Sequence, residues 1–337
     1  MKYQNLHCHT TVSDGKLDYL ASLKVCEDNR IGVIAFTDHD SLPKEEEINK
    51  LRKVESKTQW IVGVEMSSDM PHELKHFGGD LHIVGLFVDP LNPSLRDHCR
   101  KAKASRIERM QRMVKRLTEL GFNITEADCL QASSGEAVGR PHILAALKAK
   151  PENLRVIDNL RRKMEEGARH NPLVFEKYQE MLKKGEDEYP YTLFFSDDSY
   201  IPGVYVHYLY KKDLDESVAL IRGAGGLAFL AHWFTDKHKV DEGLIEKLFK
   251  ENRLDGVETV YGLGALGQEE LRAQRKILRP LVGRYNKLES GGSDAHSQEA
   301  LEEFAKTGWY AKLTFRLIET IMENSKVDTS WSSLSKS

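Results

Sequence analysis

Seven short apolar runs, rich in β-branched residues, recur at 3–9, 33–38, 60–65, 81–87, 227–231, 256–260 and 288–293. Helical patterns at 18–29, 44–54, 213–222, 241–252 and 268–278 lie between them. This alternation constrains the fold more than any other feature. Short strands joined by amphipathic crossovers bury both faces of a parallel sheet, so the chain is expected to be α/β. Seven strands favour barrel-like closure over a long open sheet.

The alternation breaks between about 95 and 205, where the sequence turns helical and charged. A helix expected over 100–120 carries Ile107, Met110, Met113, Val114, Leu117 and Leu120 on one face, with Arg106, Arg109, Arg112 and Arg116 beside it. The arginines read either as a solvated, salt-bridged face or as a guide for a polyanion. The expected organisation is a catalytic domain of 1–94 and 206–328, an inserted and mainly helical subdomain of 95–205, and a loose polar tail of 329–337.

Bulk composition excludes several classes. Lys and Arg number 49 against 52 Asp and Glu, a formal net charge of −3, which argues against a basic nucleic-acid scaffold and leaves a small anionic substrate open. Cys8, Cys26, Cys99 and Cys129 have no CxxC spacing, so neither a disulfide framework nor a zinc ribbon is expected, in keeping with a reducing cytoplasm. The first strand starts too close to Met1 for a signal peptide, and no apolar run reaches membrane-spanning length. A cytoplasmic protein with no membrane partner is expected.

The chemistry lies where the strands end. In Leu6-His7-Cys8-His9 a strand sends both histidines to one face and Cys8 to the other. Taken alone, the pair fits ordinary polar contacts at least as well as a metal site, and the following Ser-Asp-Gly fits a turn. Yet "VIAFT" is followed by Asp38, His39 and Asp40, "WIVGV" by Glu65, "GLAFLA" by His232, and "LESGGS" by Asp294 and His296. In a parallel barrel these carboxyl ends open on one face. His82 departs from the rule, because it stands near the start of its run. Imidazole and carboxylate donors without thiolate suit zinc, manganese or iron, and they are too many for one tetrahedral ion. A cluster of two or three divalent ions is expected. Such clusters activate water and neutralise charge in displacement at phosphorus. No GxSxG elbow, P-loop or convincing dinucleotide fingerprint competes with that reading. From the 95–205 region, "VGRPHIL" offers Arg140 as a phosphate fork and His142 as a donor or general acid, or simply a helix start with Pro141 in its first turn.

In order and spacing, "LHCHTTVSDG", "AFTDHDSL", "GVEMS", "HIVGLFVD", "GRPHIL", "AGGLAFLAHW", "LDGVETVY" and "GGSDAHS" resemble the PHP (polymerase and histidinol phosphatase) family. The similarity is strongest to stand-alone phosphoesterases such as nucleoside 3′,5′-bisphosphate phosphatases and oligoribonucleotide 5′-to-3′ exonucleases. The resemblance implies a distorted seven-stranded (β/α) barrel, a trinuclear metal centre and a helical insertion that caps the substrate. It implies that His7, His9, Glu65 and Asp294 hold one ion. Glu65 would bridge to a second held by His82 and His232, and Asp14, His39 and His296 would hold the third. It implies that Arg140 and His142 face the substrate phosphate. Trp233 stands where the family often has proline after the barrel histidine, and the segment 150–205 looks longer than in compact relatives.

The expected activity is metal-dependent hydrolysis of a small phosphomonoester, most plausibly a 3′,5′-bisphosphate nucleotide, by a hydroxide bridging the ions. Two alternatives are a 5′-to-3′ exonuclease on short RNA and a non-catalytic, metal-containing module that binds a phosphorylated ligand.

Overall fold

Ile31-Gly-Val-Ile-Ala-Phe36 is buried at every position, as a strand covered on both faces must be. Val33 and Ala35 join a cluster with Leu6, Ile61, Val84, Leu86 and Phe229. Ile34 and Phe36 join another with Val62, Val64, Ile83, Leu230 and Val257. The period of two thus separates two apolar layers, one on each face of the sheet. Leu23, Ile48, Val218, Ile221, Leu244 and Leu248 from the crossover helices belong to the second layer, while Leu317, Ile318 and Ile321 near the C-terminus belong to the first.

The computed structural model describes residues 3–77, 80–133, 137–233, 241–262, 268–306 and 308–334. Positions 335–337 of the expected tail lie outside them. The fold is mixed α/β with an eight-stranded sheet. Its strands are β1 (Tyr3–Asn5), β2 (Ile31–Phe36), β3 (Gln59–Asp69), β4 (Asp80–Leu86), β5 (Lys212–Asp213), β6 (Leu227–Leu230), β7 (Gly256–Val260) and β8 (Leu288–Gly291). They are ordered β1-β2-β3-β4-β6-β7-β8, with β5 beside β3. The backbone beyond β1 also meets the β8 side: the Leu6 amide donates to the Gly291 carbonyl at 3.1 Å, and Cys8 bridges Ala295.

The expectation of a wholly parallel sheet is corrected at β4, which runs antiparallel to both β3 and β6. An apolar run carries no signal of direction, so its orientation was not readable from the pattern. The consequence for His82 is direct. The start of an antiparallel strand lies beside the ends of its parallel neighbours.

The expected crossover helices form as α1 (Tyr19–Asp28), α2 (Glu45–Leu51), α8 (Leu214–Gly223), α9 (Glu242–Lys250) and α10 (Gln268–Arg284). Side chains of Asp18, Asp213 and Asp241 accept amide hydrogens at the first turns of α1, α8 and α9, satisfying donors that a helix start leaves open. The end of the chain is less loose than its serine content suggests. Ser332 bridges Ile61, Ser333 Oγ accepts from the Trp60 amide at 2.7 Å, and the Arg52 guanidinium lies 5.0 Å from the Trp331 ring centre.

The chain divides into two compact units, 1–102 with 211–337, and 103–210. The second contains most of α3 (Pro93–Glu119), then α4 (Glu126–Ala132), α5 (Arg140–Lys148), α6 (Pro151–Ala168) and α7 (Pro172–Lys184). Its core gathers Met110, Met113 and Leu117 of α3 with Ile143, Leu147, Leu160, Met164, Phe194 and Phe195. The apolar stripe of α3 is therefore packing. No helix among the described residues is long and apolar enough to cross a membrane.

Candidate metal centre

Glu65 stands inside β3 between the buried Val64 and Met66 and is itself fully buried. Five imidazoles face its carboxylate. Oε2 lies 3.3 Å from His7 Nε2, 3.1 Å from His9 Nε2 and 2.9 Å from His39 Nδ1. Oε1 lies 2.8 Å from His82 Nδ1 and 3.0 Å from His232 Nε2. An oxygen on each side, each with its own set of nitrogens, is the arrangement a bridging ligand needs.

Around this carboxylate the described residues form three groups whose donor atoms lie within 4.8 Å of one another: His7, His9, Glu65 and Asp294; His9, Asp14, His39 and His296; and His39, Glu65 and His82. His232 completes the side of His82, with His232 Nε2 3.1 Å from His82 Nδ1. All nine residues singled out in the sequence are thus brought together in one unit. The partition expected for the ions is less sharp than the geometry, since His9 and His39 each belong to two groups.

The local sequence explains the placement. Cys8 joins the apolar core while His7 and His9 point the other way. The loop beyond them is tied to Asp38, whose carboxylate accepts from the Thr10 amide at 2.7 Å, Thr10 Oγ1 at 2.8 Å, Ser13 Oγ at 2.7 Å and the Tyr19 hydroxyl at 3.0 Å. Asp38 therefore orders the turn that carries Asp14, although the sequence presents it as another metal-capable residue. A Cβ on Gly15 would stand 2.3 Å from the His9 carbonyl oxygen, so this turn admits only glycine. His232 and Asp294 adopt φ of 27° and 50°, the left-handed region that costs non-glycine residues ~1–3 kcal/mol and is retained where surroundings enforce it.

The electrostatics are those of a site that exchanges protons for cations. Burial opposes charge on His9, but the Asp294 and Glu65 carboxylates outweigh it and push the pKa up to about 10. His7 is raised in the same way, against burial, by Glu258, Asp294 and Glu65. Burial would raise Asp14, yet His39, His296 and His9 hold it far below the usual carboxylate range. Asp14 Oδ1, His39 Nδ1, Glu65 Oε2 and Asp294 Oδ1 are buried without hydrogen-bond partners, despite the short contacts around them. Buried polar atoms are rarely left so. These orphaned atoms all lie in the three groups, and a donor set of imidazole and carboxylate fits divalent zinc, manganese or iron.

No family model matches the chain. Full-length relatives do. Over 312 residues, 90% of this chain and 89% of the relative, it is 24% identical to the 5′-3′ exoribonuclease Rnm of Escherichia coli. Over 302 residues, 87% of each, it is 25% identical to the 3′,5′-nucleoside bisphosphate phosphatase of Chromobacterium violaceum. A solved structure assigned as a metal-dependent phosphoesterase, from Bifidobacterium adolescentis, shares the fold with a TM-score of 0.61 and 22% identity over 88% of both chains. These likenesses support the PHP family for this chain.

Two further residues, missed in the sequence, hold the candidate ligands. Glu258 is fully buried in β7; its Oε1 lies 2.8 Å from His7 Nδ1 and its Oε2 accepts from the His232 amide at 2.7 Å. It leaves Nε2 of His7 facing Glu65 and Asp294. The Tyr261 hydroxyl donates to Asp294 Oδ2 at 2.9 Å. The available signal was the carboxylate in the apolar run Gly256–Val260, since a charge in a buried strand must be paired. Arg140 and His142 lie in the other unit, at the start of α5. His142 Nδ1 accepts from the Gly139 amide at 3.0 Å, and Arg140 Nη1 donates to the Phe195 carbonyl at 2.9 Å.

Proposed function

We propose that this PHP phosphoesterase hydrolyses a phosphomonoester of a small nucleotide, a 3′,5′-bisphosphate being the substrate favoured. The observation that carries the reading is the set of orphaned buried donor atoms around Glu65, which calls for several cations rather than one. On this reading His7, His9, Asp14, His39, Glu65, His82, His232, Asp294 and His296 hold two or three ions of manganese, iron or zinc. Ions held there lower the pKa of water and neutralise charge developing on phosphoryl oxygens. The chain's own part is to fix the donors: Glu258 sets the imidazole of His7, Tyr261 and the strained backbone set Asp294, and Asp38 sets the Asp14 turn. Arg140 would bind phosphate oxygens, and His142 would hold a proton for the leaving oxygen. The links between the β1 and β8 sides support a closed, distorted barrel, with 95–205 as the insertion that shapes substrate choice.

Manganese-loaded protein is expected to release phosphate from adenosine 3′,5′-bisphosphate, and His7→Ala to reduce the rate by at least ~10³, as loss of a metal-centre donor should. Undiminished turnover in His7→Ala would remove the proposal. The E. coli relative's activity supports a second reading, in which short RNA is trimmed from its 5′ end. Chain length separates the two. A trinucleotide cut faster than the bisphosphate favours the nuclease, and slower cutting favours the phosphatase.

A further inference from the structure

His232 and Asp294 stand beyond the carboxyl ends of β6 and β8. At the opposite ends, where β6, β7 and β8 begin, a cavity of about 550 Å³ is bordered by Leu227, Asp255, Leu288 and Glu289. At about 3.3 Å per residue, β6 and its continuation to His232 separate the cavity from the candidate metal centre by roughly 15 Å. The whole lining lies in the unit formed by 1–102 and 211–337.

Three segments bring cations to this cavity. Arg275 and Arg279 come from successive turns of α10, Lys287 from the turn before β8, and Lys312 and Arg316 from the chain that precedes the helix Leu317–Asn324. Their counter-charges are too few. One carboxylate, Glu289, serves both α10 arginines: Oε1 accepts from Arg279 Nε at 2.9 Å, and Oε2 lies 3.5 Å from Arg275 Nη2. Asp255 is engaged by Arg222, which forks onto it at 2.9 and 3.2 Å. Lys287 donates to neutral oxygens, Asn252 Oδ1 at 2.6 Å and the Leu254 carbonyl at 2.7 Å. Arg316 pairs with Glu323, and the exposed Lys312 has no carboxylate partner among the described residues.

A solvated helix face would alternate its charges, whereas like charges at i and i+4, as in Arg275 and Arg279, repel. Burial lowers the Arg275 pKa; Glu289 opposes that and Arg279 adds to it. Burial lowers Lys287 as well, with Asp255 opposing and Arg222 adding. A concave surface with surplus cations concentrates anions. Its size is that of a small-molecule pocket. Phe315, 50% exposed, lines the same cavity and offers an aromatic face to a flat ring. The lining holds no histidine or cysteine, which fits binding without turnover.

We propose that the cavity at the amino ends of β6, β7 and β8 binds a nucleotide carrying at least two phosphate charges. Arg279, Lys287, Lys312 and Arg316 meet the phosphate oxygens, Arg275 stays on Glu289, and Phe315 packs against the base. The proposal is independent of the reaction at the metal centre.

Calorimetric titration of the full-length protein with ADP, pyrophosphate and adenosine tests it. ADP is expected to bind more tightly than pyrophosphate and at least ~10-fold more tightly than adenosine, because hydrogen bonds to charged groups carry the larger share. The double variant Arg279→Gln/Lys312→Gln should weaken this ADP binding at least ~10-fold, whereas Arg140→Gln, in the other unit, should leave it unchanged. Lys312→Glu, at an exposed position, gives the same reading if the double variant does not fold. Phe315→Ala should weaken ADP and leave pyrophosphate unaffected. ADP affinity that is unchanged in the cavity variants, that is lost in Arg140→Gln instead, or that is no greater than for adenosine would overturn the proposal. Because the titration reads binding and not turnover, its outcome is separate from that of the phosphatase reading.

Discussion

Glu258 touches two candidate ligands at once, through His7 Nδ1 and the His232 amide. A carboxylate behind a ligating imidazole fixes its tautomer and strengthens its donor nitrogen. Glu258→Gln keeps the shape and removes the charge, so it is expected to weaken manganese affinity ~10–100-fold, as loss of such a partner typically does. Equilibrium metal titration of the two folded proteins checks this, and equal affinities would show that His7 is held without it. The candidate ligands were legible because histidine and carboxylate at the ends of apolar runs have few structural reasons to recur. Glu258 and Tyr261 repeat no such pattern, since their roles depend on which atom of a ligand they face. Arg106 and Arg109 show the opposite case. One helical stripe of arginines reads as one surface, and only folding divides it into a buried pair and an exposed, salt-bridged pair.

At the scale of elements, the centre depends on how closely β1 and β8 approach. A Cβ on Gly292 would stand 2.4 Å from Asn5 Oδ1 and 2.5 Å from the His7 amide nitrogen. Neither neighbour can yield freely: the Ser293 amide donates to Asn5 Oδ1 at 2.8 Å, and the Leu6 amide is bonded to Gly291. Gly292→Ala should therefore displace the backbone that carries His7, costing ~1–3 kcal/mol as overpacking does. Denaturant unfolding would measure the loss, and metal affinity should fall with it. A variant as stable as the parent, with unchanged affinity, would mean that the strands can separate without moving the ligands. The strands themselves were readable from their period, whereas their directions were not. β4 shows why this matters: its antiparallel course brings His82, at the start of its run, to 2.8 Å from Glu65.

For the molecule as a whole, the metal centre couples ligand binding to folding, because its donors come from residues 7 to 296 of the chain. One buried and two half-buried carboxylates and their histidines form the cluster only in the folded state, so ions bound there stabilise that state and not the unfolded one. At a free-ion concentration 100 times Kd, one site contributes ~2.7 kcal/mol. For a domain of 150–250 residues each kcal/mol moves the thermal midpoint by ~2–4 °C, so one site accounts for roughly 5–10 °C. The effect depends on pH with a definite sign. With its pKa pushed up to about 10, His9 retains a proton at neutral pH in the metal-free protein, and ligation must expel it. Metal uptake should therefore release protons, and apparent affinity should rise as pH increases from 6 to 9. Scanning calorimetry with manganese and with chelator, at several pH values, tests both consequences. A midpoint insensitive to chelation, or affinity that falls as pH rises over this range, would mean that the histidines and carboxylates of the cluster balance one another without ions.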